Sequence, residues 1–143
     1  MRGINRLICI LFSLVVPAAT AGPVSAEGVK VGIILPLTGT LAMPGRIERN
    51  SYLLAAQEIN AQGGVKGKKI EILMKDTVGK PVTGLSAVRK LTAQENVVVV
   101  CGGISSSVVW KAAASAQEEQ TPFVVNTASA DRITEQAGNI SSG

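Results

Sequence analysis

The sequence predicts an α/β fold, a parallel sheet with helices on both faces. Two observations carry this: four short apolar, β-branched runs alternate with three segments of helical periodicity, and the connections between them are short. A chain of 143 residues is also a single-domain length, and no repeat at solenoid spacing appears beyond the alternation itself. A βαβαβαβ order requires right-handed crossovers, and the expected strand order is 2-1-3-4, with the first strand beside the third.

Val29 to Leu35 (VKVGIIL) is an apolar run ended by Pro36, which suits a strand buried on both faces. Leu37 to Gly45 is rich in turn formers and reads as a loop. Arg46 to Ala61 carries Ile47, Tyr52, Ala55, Ala56 and Ile59 at helical spacing and closes on Gly63-Gly64, a C-capping pair. Lys69 to Asp76 alternates Ile70, Ile72 and Met74 with polar residues, as an edge strand with one wetter face does. Pro81 to Glu95 places Val82, Leu85, Val88 and Leu91 on one stripe, a second helix. Val97 to Cys101 (VVVVC) is the most β-prone stretch and reads as a central strand, broken by Gly102-Gly103. Ser105 or Ser106 then caps a third helix through about Glu119, with Val108, Val109, Ala112, Ala113 and Ala116 inward. Pro122 to Val125 begins a fourth strand, and Asn126 to Thr134 is loop. The expected core includes Val31, Ile33, Ile72, Val98, Val100, Val108, Ala112 and Val124. The polar ending Asn139 to Gly143, with no helix to cover the fourth strand, reads as a fragment of something longer.

Residues 1–26 have the pattern of a secretory signal peptide: Arg2 and Arg6, a ten-residue apolar run from Leu7 to Val16, a break at Pro17, and small residues at Val24-Ser25-Ala26. The alternative, a membrane anchor, is disfavoured because that run covers roughly half of the ~20 residues that span a bilayer. Cleavage leaves residues 27–143 as the mature protein, exported and soluble. Cys9 leaves with the signal, so Cys101 is a lone thiol and no intrachain disulfide forms. Without Arg2 and Arg6 the remainder carries 12 basic and 10 acidic residues, too small a surplus to argue for nucleic acid. A composition that is 46% hydrophobic and 17% charged excludes disorder as the main state.

The sequence contains no histidine, which excludes Ser-His-Asp or Cys-His catalysis and a histidine-bound metal. Gly102-Gly103-Ile104-Ser105 does not fit G-x-G-x-x-G, and no G-x-x-x-x-G-K-[ST] occurs, so no nucleotide or other cofactor is expected. In open parallel sheets ligands bind beyond the carboxyl ends of the strands. The three loops there, Pro36 to Gly45, Gly102 to Ser107 and Asn126 to Thr134, are rich in Gly, Ser, Thr and Ala. The helix starting near Ser106 favours an anion at its N-terminus, although Ser105 to Ser107 also read simply as a cap. Asp76 suits a loop-ordering carboxylate, Cys101 an inert core thiol, and Trp110 a packing residue.

The stretches VKVGIILPLTG, EINAQGGVKGKKIEI and VVVVCGGISSSVVWKAAASAQEEQTPFVVNTASADRIT resemble the first half of the N-terminal lobe of periplasmic substrate-binding proteins of the branched-chain amino acid (Leu/Ile/Val-binding) type. The resemblance covers residues 29 to about 140, and EINAQGGVKGKKIEI is its most specific part. It implies a two-lobed type I periplasmic binding protein fold, of which this chain holds part of the N-terminal lobe. It also implies capture without chemistry: a monomer in the periplasm closes on an amino acid or similar small carboxylate or amide and delivers it to an ABC transporter membrane permease. The residues that match the family's ligand contacts are Ser105 and Ser106, with Ser106 facing a carboxylate, and Thr127, Ala128 and Ser129, which meet the α-amino and α-carboxyl groups. The usual Ser-Pro before this last loop is Val125-Asn126 here. Met43 and Pro44 stand where relatives often carry an aromatic residue against the ligand side chain, so the solute can differ from leucine, isoleucine and valine. The same fold also serves as the ligand-sensing domain of receptors and as an amide-type regulator, and this is the alternative reading. An enzyme is the third class, disfavoured by the missing histidine and nucleotide motif.

Overall fold

The computed structural model describes residues 28–131 and 133, so residues 1–26, read above as a signal peptide, lie outside the described residues. Strands β1 (Val29–Leu35), β2 (Ile70–Asp76), β3 (Val99–Gly102) and β4 (Phe123–Val124) alternate with helices α1 (Ala42–Ala61), α2 (Pro81–Arg89) and α3 (Ser106–Glu118). The strands form one sheet of order β2-β1-β3-β4, and every neighbouring pair is parallel, as the alternation predicts. Register is set across the centre by Gly32 opposite Val100 and Leu73, and by Ile33 opposite Cys101 and Met74. No helix among the described residues is long and apolar enough to cross a membrane.

Alternate residues of each strand face opposite sides of a sheet. On one side Ile34, Leu73, Val100 and Phe123 meet α2 and α3 through Ala87, Val88, Leu91, Ala112 and Ala116, and this is the main core. On the other side α1 lies over β1 and β2; Ala56 of α1 is buried, and Ile33 and Leu35 of β1, which face this side, are fully buried.

Several expectations need correction. Val98 and Val124 are 56% and 53% exposed rather than core, and Val31 and Ile72 are half-buried. Val124 belongs to the edge strand β4 and lies on the sheet face where α1 covers β1 and β2 instead. Val98 precedes the regular strand. Asn96 has a positive φ of 54°, and the Val97 N–H donates to the Leu91 carbonyl, so the turn sends Val97 inward and Val98 outward.

The second helix also differs from its predicted stripe. Its buried residues are Gly84, Ala87, Val88, Leu91 and Thr92, whereas Val82 is 79% exposed. Small residues let α2 approach α3 closely: a Cβ at position 84 would stand 2.5 Å from Val108 Cγ1. The helix then ends in a π-helical turn over Lys90–Gln94, with the Glu95 N–H bonded to the Lys90 carbonyl. The third helix follows its predicted face, with Ser115 buried in place of Ala113.

The α1–β2 connection is fixed by Asn60. Its side-chain amide donates to the Ile70 carbonyl (2.9 Å) and accepts from the Ile70 N–H (2.6 Å). These are the two backbone groups with which edge strand β2 begins.

Candidate functional site

The three small-residue loops converge at the carboxyl ends of β1, β3 and β4. The first is ordered from β2: the Asp76 carboxylate accepts the Leu37 N–H (2.8 Å), the Thr38 N–H (3.4 Å) and the Thr38 hydroxyl (2.6 Å). It also accepts the Val78 N–H (2.8 Å), closing an Asx turn. Burial pushes this carboxyl up, but the Thr38 hydroxyl and the Val78, Leu37 and Thr38 amides outweigh that and hold it below its ordinary value. Asp76 is therefore the loop-ordering carboxylate that the sequence suggests.

α1 starts at Ala42, earlier than predicted, so Met43 and Pro44 sit in its first turn rather than in a loop. Proline is tolerated there because the first N–H groups of a helix have no intrahelical partner. Met43 is 73% exposed. Pro44, Glu48 and Tyr52 follow one another at four-residue steps, the spacing that aligns side chains along one helix face.

The loop after β3 turns on Gly102 (φ +117°) and Gly103 (φ +102°), and a Cβ on Gly102 would lie 2.4 Å from the Ile34 carbonyl oxygen. Only glycine accepts both the conformation and the contact. Ser105 is the N-cap of α3, and its carbonyl accepts the Val108 and Val109 N–H groups. Its side chain makes no capping bond; the hydroxyl pairs instead with that of Ser107 at 3.0 Å. Ser106 is half-buried in the first turn.

The loop after β4 is fastened to both neighbours. The Ala128 N–H donates to the Gly103 carbonyl (3.1 Å), which joins it to the Ser105–Ser106 turn. Asn126 Nδ2 donates to Glu48 Oε2 (2.8 Å) and the Thr127 hydroxyl to Glu48 Oε1. Ser129 is exposed beside them. Of the residues singled out by sequence, Ser105, Ser106, Thr127 and Ala128 are thus linked in one rim, with Met43 and Pro44 one turn before Glu48.

Glu48 is the rim residue that sequence reasoning missed. Glu48 stands within the helix predicted from Arg46, but its partners Asn126 and Thr127 lie in a distant loop, so no local pattern marks it. One turn on from Glu48, burial above all, with Cys101 and Glu48 adding to it, pushes the Tyr52 phenol up to about 12, and burial pushes the Cys101 thiol up. Both groups are therefore neutral at pH 7. No cluster of three metal-ligating side chains occurs among the described residues. A recess of about 270 Å³ lined by Gly28, Lys30, Lys68, Asn96 and Val98 lies at the opposite, amino-terminal end of the sheet.

Residues 28–141 match the family model described as periplasmic binding protein. The chain is 33% identical over 127 residues to Leu/Ile/Val-binding protein homolog 7 of Brucella abortus (strain 2308), an alignment covering 89% of this chain and 31% of the relative. It therefore spans about a third of the length of the curated relatives it matches. Among solved structures it is similar to the branched-chain amino acid transporter substrate-binding protein LivJ from Streptococcus pneumoniae in complex with isoleucine. That match has TM-score 0.75 and 32% identity, and covers 77% of this chain and 32% of that one. It is also similar to a solute-binding protein of an ABC transporter from Rhodopseudomonas palustris BisB5 in complex with 3,4-dihydroxybenzoic acid (TM-score 0.69, 32% identity, covering 76% and 30%). With the parallel β2-β1-β3-β4 sheet and a match that takes in every described residue, the chain belongs to the periplasmic binding protein family.

Proposed function

We propose that the protein is an extracytoplasmic solute-binding protein that captures an amino acid or a related small carboxylate or amide and delivers it to an ABC permease. In this reading residues 1–26 are its export signal and residues 27–143 form part of the N-terminal lobe of a two-lobed clamp. The observation that carries it is the junction at Gly103, where the Ala128 amide fastens the loop after β4 to the serine turn opening α3. That junction gathers hydroxyls, small side chains and a helix N-terminus at the carboxyl edge of the sheet. A carboxylate is held there without a cation, by the Ser106 hydroxyl and the first-turn N–H groups that lack intrahelical partners.

Ala128 has its N–H engaged by Gly103, so its carbonyl is the group offered to a ligand ammonium, with Thr127 and the Ser129 hydroxyl beside it. Met43 and Pro44 meet the ligand side chain. The isoleucine and 3,4-dihydroxybenzoate in the two similar structures share a carboxylate, the feature this rim is suited to hold. The protein binds without transforming its solute, the role of solute-binding relatives in the family to which the chain belongs.

Residues 1–143 alone should bind a solute poorly, since half of one lobe leaves the far face of the ligand in water, so isothermal calorimetry on the full-length protein carrying both lobes, with isoleucine and with 3,4-dihydroxybenzoate, is the test. Ser106→Ala and Ser129→Ala should each weaken the bound probe about ten- to hundredfold, the loss expected for a hydroxyl that meets a buried charge. Parent-like affinity in both variants would reduce these serines to shaping the loops.

A further inference from the structure

The three loops at the mouth differ in how they are restrained. Asp76 holds the first and the Gly102–Gly103 turn sets the second. The third, after a strand of only two residues, has little sheet to hold it. What fastens its leading half is one carboxylate on a different element: Glu48, more than 75 positions away in sequence, accepts from Asn126 with one oxygen and from Thr127 with the other. A carboxylate that receives both donors is a charge-assisted fork, stronger and more directional than two neutral contacts. The next residue, Ala128, gives its N–H to Gly103, so the chain is pinned at three successive residues, to α1 twice and to the serine turn once.

We propose that Glu48 is a positioning residue for solute binding, clamping Asn126 and Thr127 so that Ala128 and Ser129 are presented to the ligand in a fixed geometry. The inference rests on the solute-binding reading above. Ordering a loop before the ligand arrives removes that ordering cost from the binding step, so loss of the clamp weakens affinity even though Glu48 itself contacts no ligand. Asn126 and Thr127 are exposed, so releasing them leaves the sheet core of Ile34, Val100 and Ala112 undisturbed.

The test reverses the polarity of the fork in the full-length protein that carries both lobes. Asn126→Asp sets a second carboxylate against Glu48 and opens the clamp. Adding Glu48→Gln lets the new amide donate to Asp at position 126 while its oxygen still accepts from Thr127. Two readouts are followed: exchange of the Ala128 amide without ligand, by NMR, and the affinity for isoleucine, by calorimetry. The single variant should speed Ala128 exchange and weaken isoleucine, each about tenfold, with little change in the unliganded melting temperature. The double variant should bring both back to within about twofold of the parent. Unchanged exchange in Asn126→Asp overturns the proposal, and so does a double variant that fails to restore it. If the full-length parent gives no heat with isoleucine, the calorimetry is repeated with 3,4-dihydroxybenzoate, and an Asn126→Asp variant that binds the responding probe as tightly as the parent overturns the proposal.

Discussion

Replacing Asp76 by alanine should cost about 2 kcal/mol of folding stability at neutral pH. The carboxylate accepts from two amides at 2.8 Å, a hydroxyl at 2.6 Å and a further amide at 3.4 Å. Water can replace the exposed contacts to Thr38 and Val78, which leaves them a few tenths of a kcal/mol each. The half-buried Leu37 N–H is less easily resolvated, and a hydrogen bond from it to a charged acceptor contributes roughly 1.5 kcal/mol. The pH dependence separates this from a general packing loss. Because the folded carboxyl titrates below its ordinary value of 3.8, the unfolded chain binds more protons in the acid range. The contribution is therefore fully present above about pH 4 and is lost as the pH falls through the lowered value. Urea titrations of the intact protein at pH 7 and at steps down to pH 3 make the assay, with Asp76→Asn as the isosteric control. Both variants should lose the part of the acid slope that Asp76 supplies. A parent and an alanine variant within about 0.5 kcal/mol of each other at pH 7, or with the same acid slope, would refute the reasoning.

Two further outcomes are expected. Gly102→Ala should destabilise by about 3 kcal/mol or more, since its Cβ would lie 2.4 Å from the Ile34 carbonyl in a backbone conformation that disfavours side chains; chemical denaturation of the variant checks it. The protein contains a single tyrosine, so absorbance at 295 nm follows Tyr52 alone. It should ionise near pH 12 when folded and near 10 when unfolded, so stability falls as the pH rises between those values; a folded midpoint near 10 would contradict the burial described.

The sheet was legible because hydrophobic runs of four to seven residues, alternating with helical spacing, leave few other topologies open. Asp76 was legible for a local reason: a carboxylate ending a strand before a Thr-Val-Gly turn has backbone amides within reach. Features that depend on distant contacts were not. Glu48 gains its role from Asn126 and Thr127, and nothing in the residues around it announces that pairing. The buried face of α2 was misread because apolarity alone favoured Val82, whereas the close approach to Val108 selects Gly84. Val98 was assigned to the core by the uniform run VVVV, in which no polar residue marks where the turn ends and the pleat begins.

The Asn60 side chain, bonded to both backbone groups of Ile70, does for that residue what a neighbouring strand would do. An edge strand is a template on which another chain can add, and the hazard is greatest where the edge is apolar and its amides are open. At Ile70 the template is already occupied, by a side chain from the helix that delivers the strand. Beyond it, the charged Glu71 and Lys75 make the edge a poor match for an apolar partner. The amide that ties α1 to β2 therefore also guards against sheet-to-sheet association while the chain is folding, when β2 would otherwise meet the strands of other copies at high concentration.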